Sequence, residues 1–464
     1  MSGYPISLSA LSVSAGKSLP HGLTELRGTS FTDGTSSPAS GTIQFLDFLN
    51  KTIGSSTPTV YPAHLRASYP AINDQLGSSI SISGNYAIAG AQFADPYGRS
   101  NAGAAYIFER TSTSWIQRAI LIASDATADD YFGKSVSIDG NYAIVGADGA
   151  DPSSLSRAGA AYIFKKDTNG TGWTQQTILT ASDKTANDYF GQSVSISSTG
   201  YAIDVIIGAS GQDPNGQSSA GAAYVFTRSG SSWPQQAKLV ASDATFADSF
   251  GRSVSIDGNY AIIGAYREDP SNVSNAGSAY IFARSGSYWS QQAKLTASDK
   301  AAGDYFGISV SISGGWVIVG ASFADPGGFT SAGSAYIFAM SGSSWPQQAI
   351  LTASDKAAGD TFGKSVAISS TGYAIVGATG ATVNNVSGAG AAYIFARSGS
   401  SWPEQEKLIS PNIGSGDYFG TSVSIDGDRV VASAPRETVN SVRGGAAHVF
   451  KKATNGSTWS NLTG

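Results

Sequence analysis

The sequence predicts an all-β chain: a seven-bladed β-propeller of four-stranded antiparallel blades over residues 59–464, preceded by an extended N-terminal arm, residues 1–58. Three observations predict it. A set of landmarks recurs seven times at intervals of 56 to 60 residues. Each interval reads as four short strands. Gly reaches 56 residues while charged residues are only 13%, about half the ~25% of an average soluble protein. Such a composition is rich in turns and strands rather than helices.

The landmarks are a Phe-Gly pair, a Gly-Ala pair, an apolar strand and a Trp. Phe-Gly stands at Phe132-Gly133, Phe190-Gly191, Phe250-Gly251, Phe306-Gly307, Phe362-Gly363 and Phe419-Gly420, with Leu76-Gly77 as the first copy. Gly-Ala follows at Gly90, Gly146, Gly208, Gly264, Gly320 and Gly377, and Ser433-Ala434-Pro435 takes its place in the last copy. An Ala-Tyr-Ile-Phe-like segment comes next, as at Ala161–Phe164. Trp115, Trp173, Trp233, Trp289, Trp345, Trp402 and Trp459 close the units, so seven of the eight tryptophans are one repeated position.

Within a unit the first strand is Phe-Gly-x-Ser-Val-Ser-Ile. Asp139-Gly140 and Asp257-Gly258 are hairpin turns leading into the second strand. The second and third strands are nearly continuous apolar runs, the pattern of a sheet covered on both faces. The fourth is read as starting at the Trp. One small sheet cannot cover both its faces, but seven arranged radially do so and leave only short edges. Leu65 precedes Gly77 by the twelve residues that separate Leu295 from Gly307, and the chain ends five residues beyond Trp459. The two ends therefore read as pieces of one blade. Its outer strand is expected from residues 457–462, with residues 60–66 lying against it or continuing it.

Several function classes are excluded or disfavoured. A net charge of −5 argues against nucleic acid, which needs a basic face. No apolar run reaches the ~18 residues of a membrane span. No Cys and three scattered His (His21, His64, His448) leave little for a metal site, and no cofactor is expected. No nucleophile elbow, P-loop or dinucleotide fingerprint stands at a strand-to-helix junction, so no catalytic residue is assigned and an enzyme is not expected. Residues 1–20 lack the basic start and apolar run of a secretory signal.

The order Phe-Gly, Gly-Ala(-Pro), Tyr-x-Phe resembles the FG-GAP repeat of integrin α-subunit heads and of many bacterial and viral surface proteins. The resemblance runs from about Thr59 to Gly464. It implies the seven-bladed propeller and an extracellular or virion-surface recognition role. Many FG-GAP repeats carry an Asp-x-Asp-x-Asp-Gly calcium loop between strands one and two. Here that loop shrinks to turns such as Asp139-Gly140-Asn141, Asp257-Gly258-Asn259 and Asp426-Gly427-Asp428, too few for the ~6–8 oxygens calcium takes, so no metal is expected there. The segments 22–28 and 31–48 look like N-terminal parts of phage and algal-virus fibre proteins, which implies an arm that attaches the propeller to other structural proteins.

A residue present in every blade is most simply scaffold, so recognition is sought where the copies differ. Asp74, Asp130, Asp188, Asp248, Asp304, Asp360 and Asp417 recur, as do Asp125, Asp183, Asp243, Asp299 and Asp355. They read as turn-fixing side chains, with a ring of cation-binding or acid–base carboxylates as the alternative. The loop between strands two and three keeps its length and changes its content. Asp-Pro opens five copies, and the rest varies: Tyr97 and Arg99, Arg157, Tyr266-Arg267-Glu268, Phe329 and Arg436. These eight residues are the candidate ligand-binding set, because loops on a propeller rim carry recognition and exposed aromatics and Arg dominate it; plain solvated loops are the alternative. Six Asn-x-Ser/Thr sequons (Asn50, Asn169, Asn272, Asn385, Asn455, Asn461) suit a surface glycoprotein.

The leading expectation is a non-enzymatic module binding a host-surface glycan or protein. Two alternatives stay open: a structural capsid or tail component without a host ligand, and a secreted carbohydrate-binding or hydrolytic propeller.

Overall fold

The computed structural model describes residues 64–461 apart from 113, 169, 171, 199–202 and 454–457. The expected arm, residues 1–58, lies outside the described residues, as do the sequons at Asn50, Asn169 and Asn455. Among the described residues there are seven antiparallel sheets, six of four strands and a seventh in which two short pieces, His64–Leu65 and Trp459–Asn461, share the fourth position. Blade two shows the plan: Ser135–Asp139, Tyr142–Ala147, Ala160–Lys166 and Trp173–Leu179, in that order across the sheet. The fourth strand starts at the Trp only in some blades. In blades three, five and six a Pro follows the Trp and has no N–H to donate, so the strands begin at Gln235, Gln347 and Glu404.

The core lies between blades rather than within them. One apolar cluster joins Ile88 and Ile107 of blade one to Phe132, Val145, Tyr162 and Phe164 of blade two; the pattern repeats around the ring. The Phe of Phe-Gly is fully buried from Phe132 to Phe419. It meets the Tyr and Phe of its own third strand edge-on, as at Phe132–Tyr162 (5.2 Å) and Phe132–Phe164 (6.0 Å). Burying each such side chain is worth about 1.5–3 kcal/mol. Further out, the repeated Trp packs edge-on against the second-strand aromatic of the preceding blade: Tyr86–Trp173, Tyr142–Trp233, Tyr260–Trp345, Trp316–Trp402 and Tyr373–Trp459.

The inner strands explain the Ser-x-Ser pattern. Neighbouring inner strands diverge, so serine hydroxyls bridge them in place of a backbone ladder. Ile138 N–H donates to Ser81 Oγ, Ile196 N–H to Ser137 Oγ, Ile256 N–H to Ser195 Oγ and Ile312 N–H to Ser255 Oγ, each at 3.2 Å. Between the last and first blades, Ile82 N–H donates to Ser424 Oγ at 3.1 Å. A second set of serines donates to the Phe-Gly carbonyl of the following blade, as Ser135 Oγ does to Gly191 O at 2.7 Å.

The turns between strands one and two add a third link. Gly314 N–H donates to Asp257 Oδ2 (2.7 Å), Ser198 N–H to Asp139 Oδ2 (2.6 Å) and Gly84 N–H to Asp426 Oδ2 (2.6 Å). The carboxylates compared above with calcium ligands thus fasten each turn to the next blade.

Candidate functional site

The loops between strands two and three, and the connections from strand four to the next blade, share one face. Asp-Pro organises the first. In blade one Pro96–Gly98 makes a single 3₁₀ turn, and Asp95 Oδ1 accepts the Asn101 N–H at 2.7 Å. Asp151, Asp213, Asp269 and Asp325 each take the N–H six residues on in the same way. The end of each loop then pairs with the next blade: Asp129, Tyr131 and Phe132 N–H donate to the carbonyls of Ser100, Asn101 and Ala102. The face is therefore a set of loops with fixed backbones and differing side chains.

Most candidate residues stand on it in the open. Tyr97 is 81% exposed at a loop tip, with Arg99 exposed beside it and its guanidinium 5.8 Å from the ring centre. Phe329 is 45% exposed. Arg157 is exposed and hydrogen-bonds Tyr189, which raises its already high pKa. Arg267 and Arg436 are exposed and lie over the rings of Tyr266 (5.2 Å) and Tyr418 (5.0 Å).

Two candidates need correction. Glu268 is buried, not on the rim. It accepts Ser278 Oγ at 2.5 Å and Lys294 Nζ at 2.9 Å, because its loop position points inward and is Ala in four other blades (Ala94, Ala150, Ala324, Ala381). Tyr266 is half-buried against Tyr305, ring centres 5.5 Å apart.

Tyr305 belongs to a column the sequence reading passed over, the residue before Phe-Gly: Gln75, Tyr131, Tyr189, Ser249, Tyr305, Thr361 and Tyr418. All seven hold φ between 56° and 59°, a left-handed conformation that costs a non-glycine residue about 1–2 kcal/mol. The strained turn presents its side chain to the loop face. Tyr131 meets Phe93 at 5.8 Å and Tyr305 meets Phe323 at 5.3 Å. The signal was a variable column between a fixed Asp and a fixed Phe. Between blades one, two and three, Phe93, Tyr131, Tyr189, Arg157, Lys134 and Asp148 line an open pocket of about 250 Å³.

The repeated carboxylates are scaffold. Asp74 to Asp417 are buried and accept the N–H three residues earlier, as Asp130 does from Thr127 (2.6 Å) and Asp188 from Thr185 (2.6 Å). Burial raises their pKa values. The second set anchors the third strand: Tyr224 Oη donates to Asp183 (2.8 Å), which also pairs with Lys238 (2.6 Å). Asp243 and Asp355 repeat this with Tyr280 and Lys294, and with Tyr393 and Lys407. Burial alone would raise these three carboxyls; the Lys and Tyr hydrogen bonds outweigh it and hold them low.

Blade seven departs from the others. His448 replaces the third-strand Tyr, is fully buried, and meets Glu437 Oε2 at 2.6 Å. Glu437 also accepts Ser410 Oγ and Asn412 Nδ2. Burial pushes Glu437 up, but His448, Asn412 and Ser410 hold it below the usual carboxylate range. Asp417, beside an open cleft with Asn412 and Arg443, is pushed up to about 6 by burial and then by Glu437. A raised native pKa means the folded protein binds the proton more tightly. Stability linked to Asp417 therefore falls as pH rises from about 4 to about 6, and ionised Asp417 destabilises above that. Asp417→Asn is expected to melt higher than the parent at pH 7.5, with that advantage shrinking at pH 5. An equal increment at both pH values would show that Asp417 is not the titrating group.

Among the described residues no group of three or more His, Asp or Glu side chains is placed to hold a metal ion. No curated protein matches the chain. The crystal structure of Sqt1 from Saccharomyces cerevisiae is similar at 10% identity, with 86% of each chain covered and a TM-score of 0.46. The FG-GAP repeat model matches seven times, at residues 62–108, 115–164, 173–226, 233–282, 289–338, 345–395 and 402–450. Each match runs from the fourth-strand segment of one blade through the first three strands of the next, taking in the Phe-Gly, Gly-Ala and third-strand landmarks that build the ring, and the chain belongs to the FG-GAP repeat family.

Proposed function

We propose that this chain is a non-catalytic recognition module displayed on a virion or cell surface. It engages a host glycan or protein through the loop-bearing face, and residues 1–58 join it to other structural proteins of a larger assembly. The observation that carries this reading is the pairing of fixed loop backbones with exposed, differing aromatic and Arg side chains. Large exposed side chains on pre-ordered loops bind without a heavy ordering cost, and Tyr and Arg are the residues that dominate such interfaces. The commitment of the repeated carboxylates to turns and to Tyr–Lys pairs supports a non-catalytic role.

Binding of the full chain to a glycan array and to a panel of cell types tests the reading. Alanine at Tyr97, Arg267 or Phe329 is expected to leave the melting temperature nearly unchanged, since each side chain stands in solvent. At least one of them is expected to weaken binding by about tenfold or more. Undiminished binding by all three variants would move recognition off this face.

A further inference from the structure

The residue that follows Phe-Gly opens the inner strand of each blade. Around the ring it is Ser78, Lys134, Gln192, Arg252, Ile308, Lys364 and Thr421. Three of the seven are basic and none is acidic. They stand in blades two, four and six, which are not neighbours, so only the axis of the ring brings them together. The serine bridges that tie each inner strand to the next run round all seven blades and across the seam, so equivalent positions at the head of these strands ring one end of the axis. Burial lowers the Lys364 ammonium, and the charges of Arg252 and Lys134 lower it further. Burial likewise lowers Lys134, with Asp148 opposing and Arg252 adding. The Lys364 side chain nonetheless keeps a solvent-exposed surface.

We propose that this axial mouth binds an anionic group, a carboxylate or sulfate carried by an acidic sugar, on Lys134, Arg252 and Lys364. The inference rests on the recognition reading above and names its ligand class. Five cations on the outer strands, Lys238, Lys294, Lys407, Arg118 and Arg284, pair with carboxylates within 3 Å. The side chains of Lys134, Arg252 and Lys364 make no hydrogen bond or ion pair among the described residues. Asp148 is the one carboxylate acting on Lys134. It is itself buried, pushed up by that burial, and offset by Lys134, Arg252 and Arg157 in turn. Three like charges gathered in a protein-walled mouth repel one another and lose hydration. In a chain of net charge −5 this is a local exception, and a bound anion reverses both penalties.

The choice of a sugar comes from the groups adjoining the cations. Lys134 forms one wall of the 250 Å³ pocket whose other walls include Phe93, Tyr131 and Tyr189. Aromatic faces with phenolic hydroxyls offer a sugar ring both stacking and hydrogen bonds. The pocket is compact, on the scale of one sugar residue rather than of an extended peptide.

The test is calorimetric titration of the full chain at fixed ionic strength. The probes are a sulfated oligosaccharide, a uronate oligosaccharide, a neutral oligosaccharide of equal length and an acidic peptide. The expected result is binding of one or both charged saccharides, with the two arms separating sulfate from carboxylate, and at least tenfold weaker binding to the neutral one. Lys134→Gln with Arg252→Gln and Lys364→Gln is expected to weaken that binding at least tenfold. The same loss of charge on the outer strands, Lys165→Gln with Arg118→Gln and Lys451→Gln, is expected to change it less than threefold. Without ligand the axial triple variant is expected to melt at or above the parent temperature, because repulsion is relieved.

A lower melting temperature would assign the three cations to the fold and overturn the proposal. So would equal affinity in the axial variant, or absence of binding to every probe. Preference for the neutral saccharide or for the acidic peptide overturns the acidic-sugar inference while leaving recognition standing. Loss of all binding on the array and to cells as well would take down the recognition reading too.

Discussion

Replacing Gly264 by alanine is expected to unfold the protein or to cost more than about 4 kcal/mol, the range reserved for a few named mechanisms. Gly264 lies in the second strand with ordinary strand backbone, so conformation is not the reason. Proximity is: a Cβ on it would meet Gly307 O of the next blade at 2.0 Å and Ser253 Oγ at 2.4 Å. The first contact is backbone, held by the Phe-Gly turn, whose glycine has φ near +90° and whose own Cβ position is filled by Ser278 O at 2.4 Å. Neither side has room to give. Gly90, Gly146, Gly208, Gly320 and Gly377 meet the following blade in the same way. Only blade seven breaks the column, with Ser433 facing Gly77, so a side chain is accepted solely where the last blade meets the first. Gly140→Ala is the control. Gly140 sits in a hairpin turn at φ +57° with open space around it, and its expected cost is only about 1–2 kcal/mol. Denaturant titrations of the two variants should differ widely; similar midpoints would show that blade contact does not depend on this glycine.

That comparison shows what the sequence can and cannot disclose. The repeated Gly-Ala marked the blade and its place in the second strand, but not that the glycine touches the blade after it, because its partner lies 43 residues on in another repeat. The same limit hid the serine bridges. Ser81 and Ile138 are 57 residues apart, and within one blade Ser-x-Ser looks only like small residues at a crowded hub. It also hid the axial cations, which belong to blades two, four and six. Landmarks that act within a blade were legible: Asp-Gly hairpins, Asp-Pro loops, turn-fixing Asp residues, the buried Phe. On the loop face, exposure followed the expectation for Tyr97, Arg99, Phe329 and Arg267. Inward placement at Glu268 was readable in principle, since Ala fills that column in four blades. The strained Tyr column was readable too, had variation been sought between two fixed residues.

Truncation after residue 458, removing residues 459–464, is expected to lower the melting temperature by about 5 °C, from a loss of roughly 3–5 kcal/mol at the Trp alone. The fourth strand of blade seven is assembled from both ends of the chain. Leu65 pairs with Ala447 and His64 with His448, while Trp459 pairs with Lys452 and Asn461 with Phe450. In blade four a single strand does both jobs, with Leu295 opposite Ala279 and Trp289 opposite Arg284. The N-terminal piece therefore supplies the Leu of the repeat and the C-terminal piece its Trp. Both are buried, Leu65 completely and Trp459 to 6% exposure, and Trp459 packs edge-on against Tyr373 of blade six, 5.8 Å away. Losing the C-terminal piece uncovers Tyr373 and leaves Phe450–Lys452 as an unpaired edge, open to pairing with other chains. Inner-strand links across the seam, Ile80 to Ser422 and Gly84 to Asp426, hold the hub but not the rim. Leu65→Ala probes the other half and is expected to cost about 2–5 kcal/mol. Removal of residues 1–50, which contain no repeat element, is expected to leave the melting temperature nearly unchanged. A silent truncation after 458, or a silent Leu65→Ala, would mean that the two-ended strand is not what closes the ring.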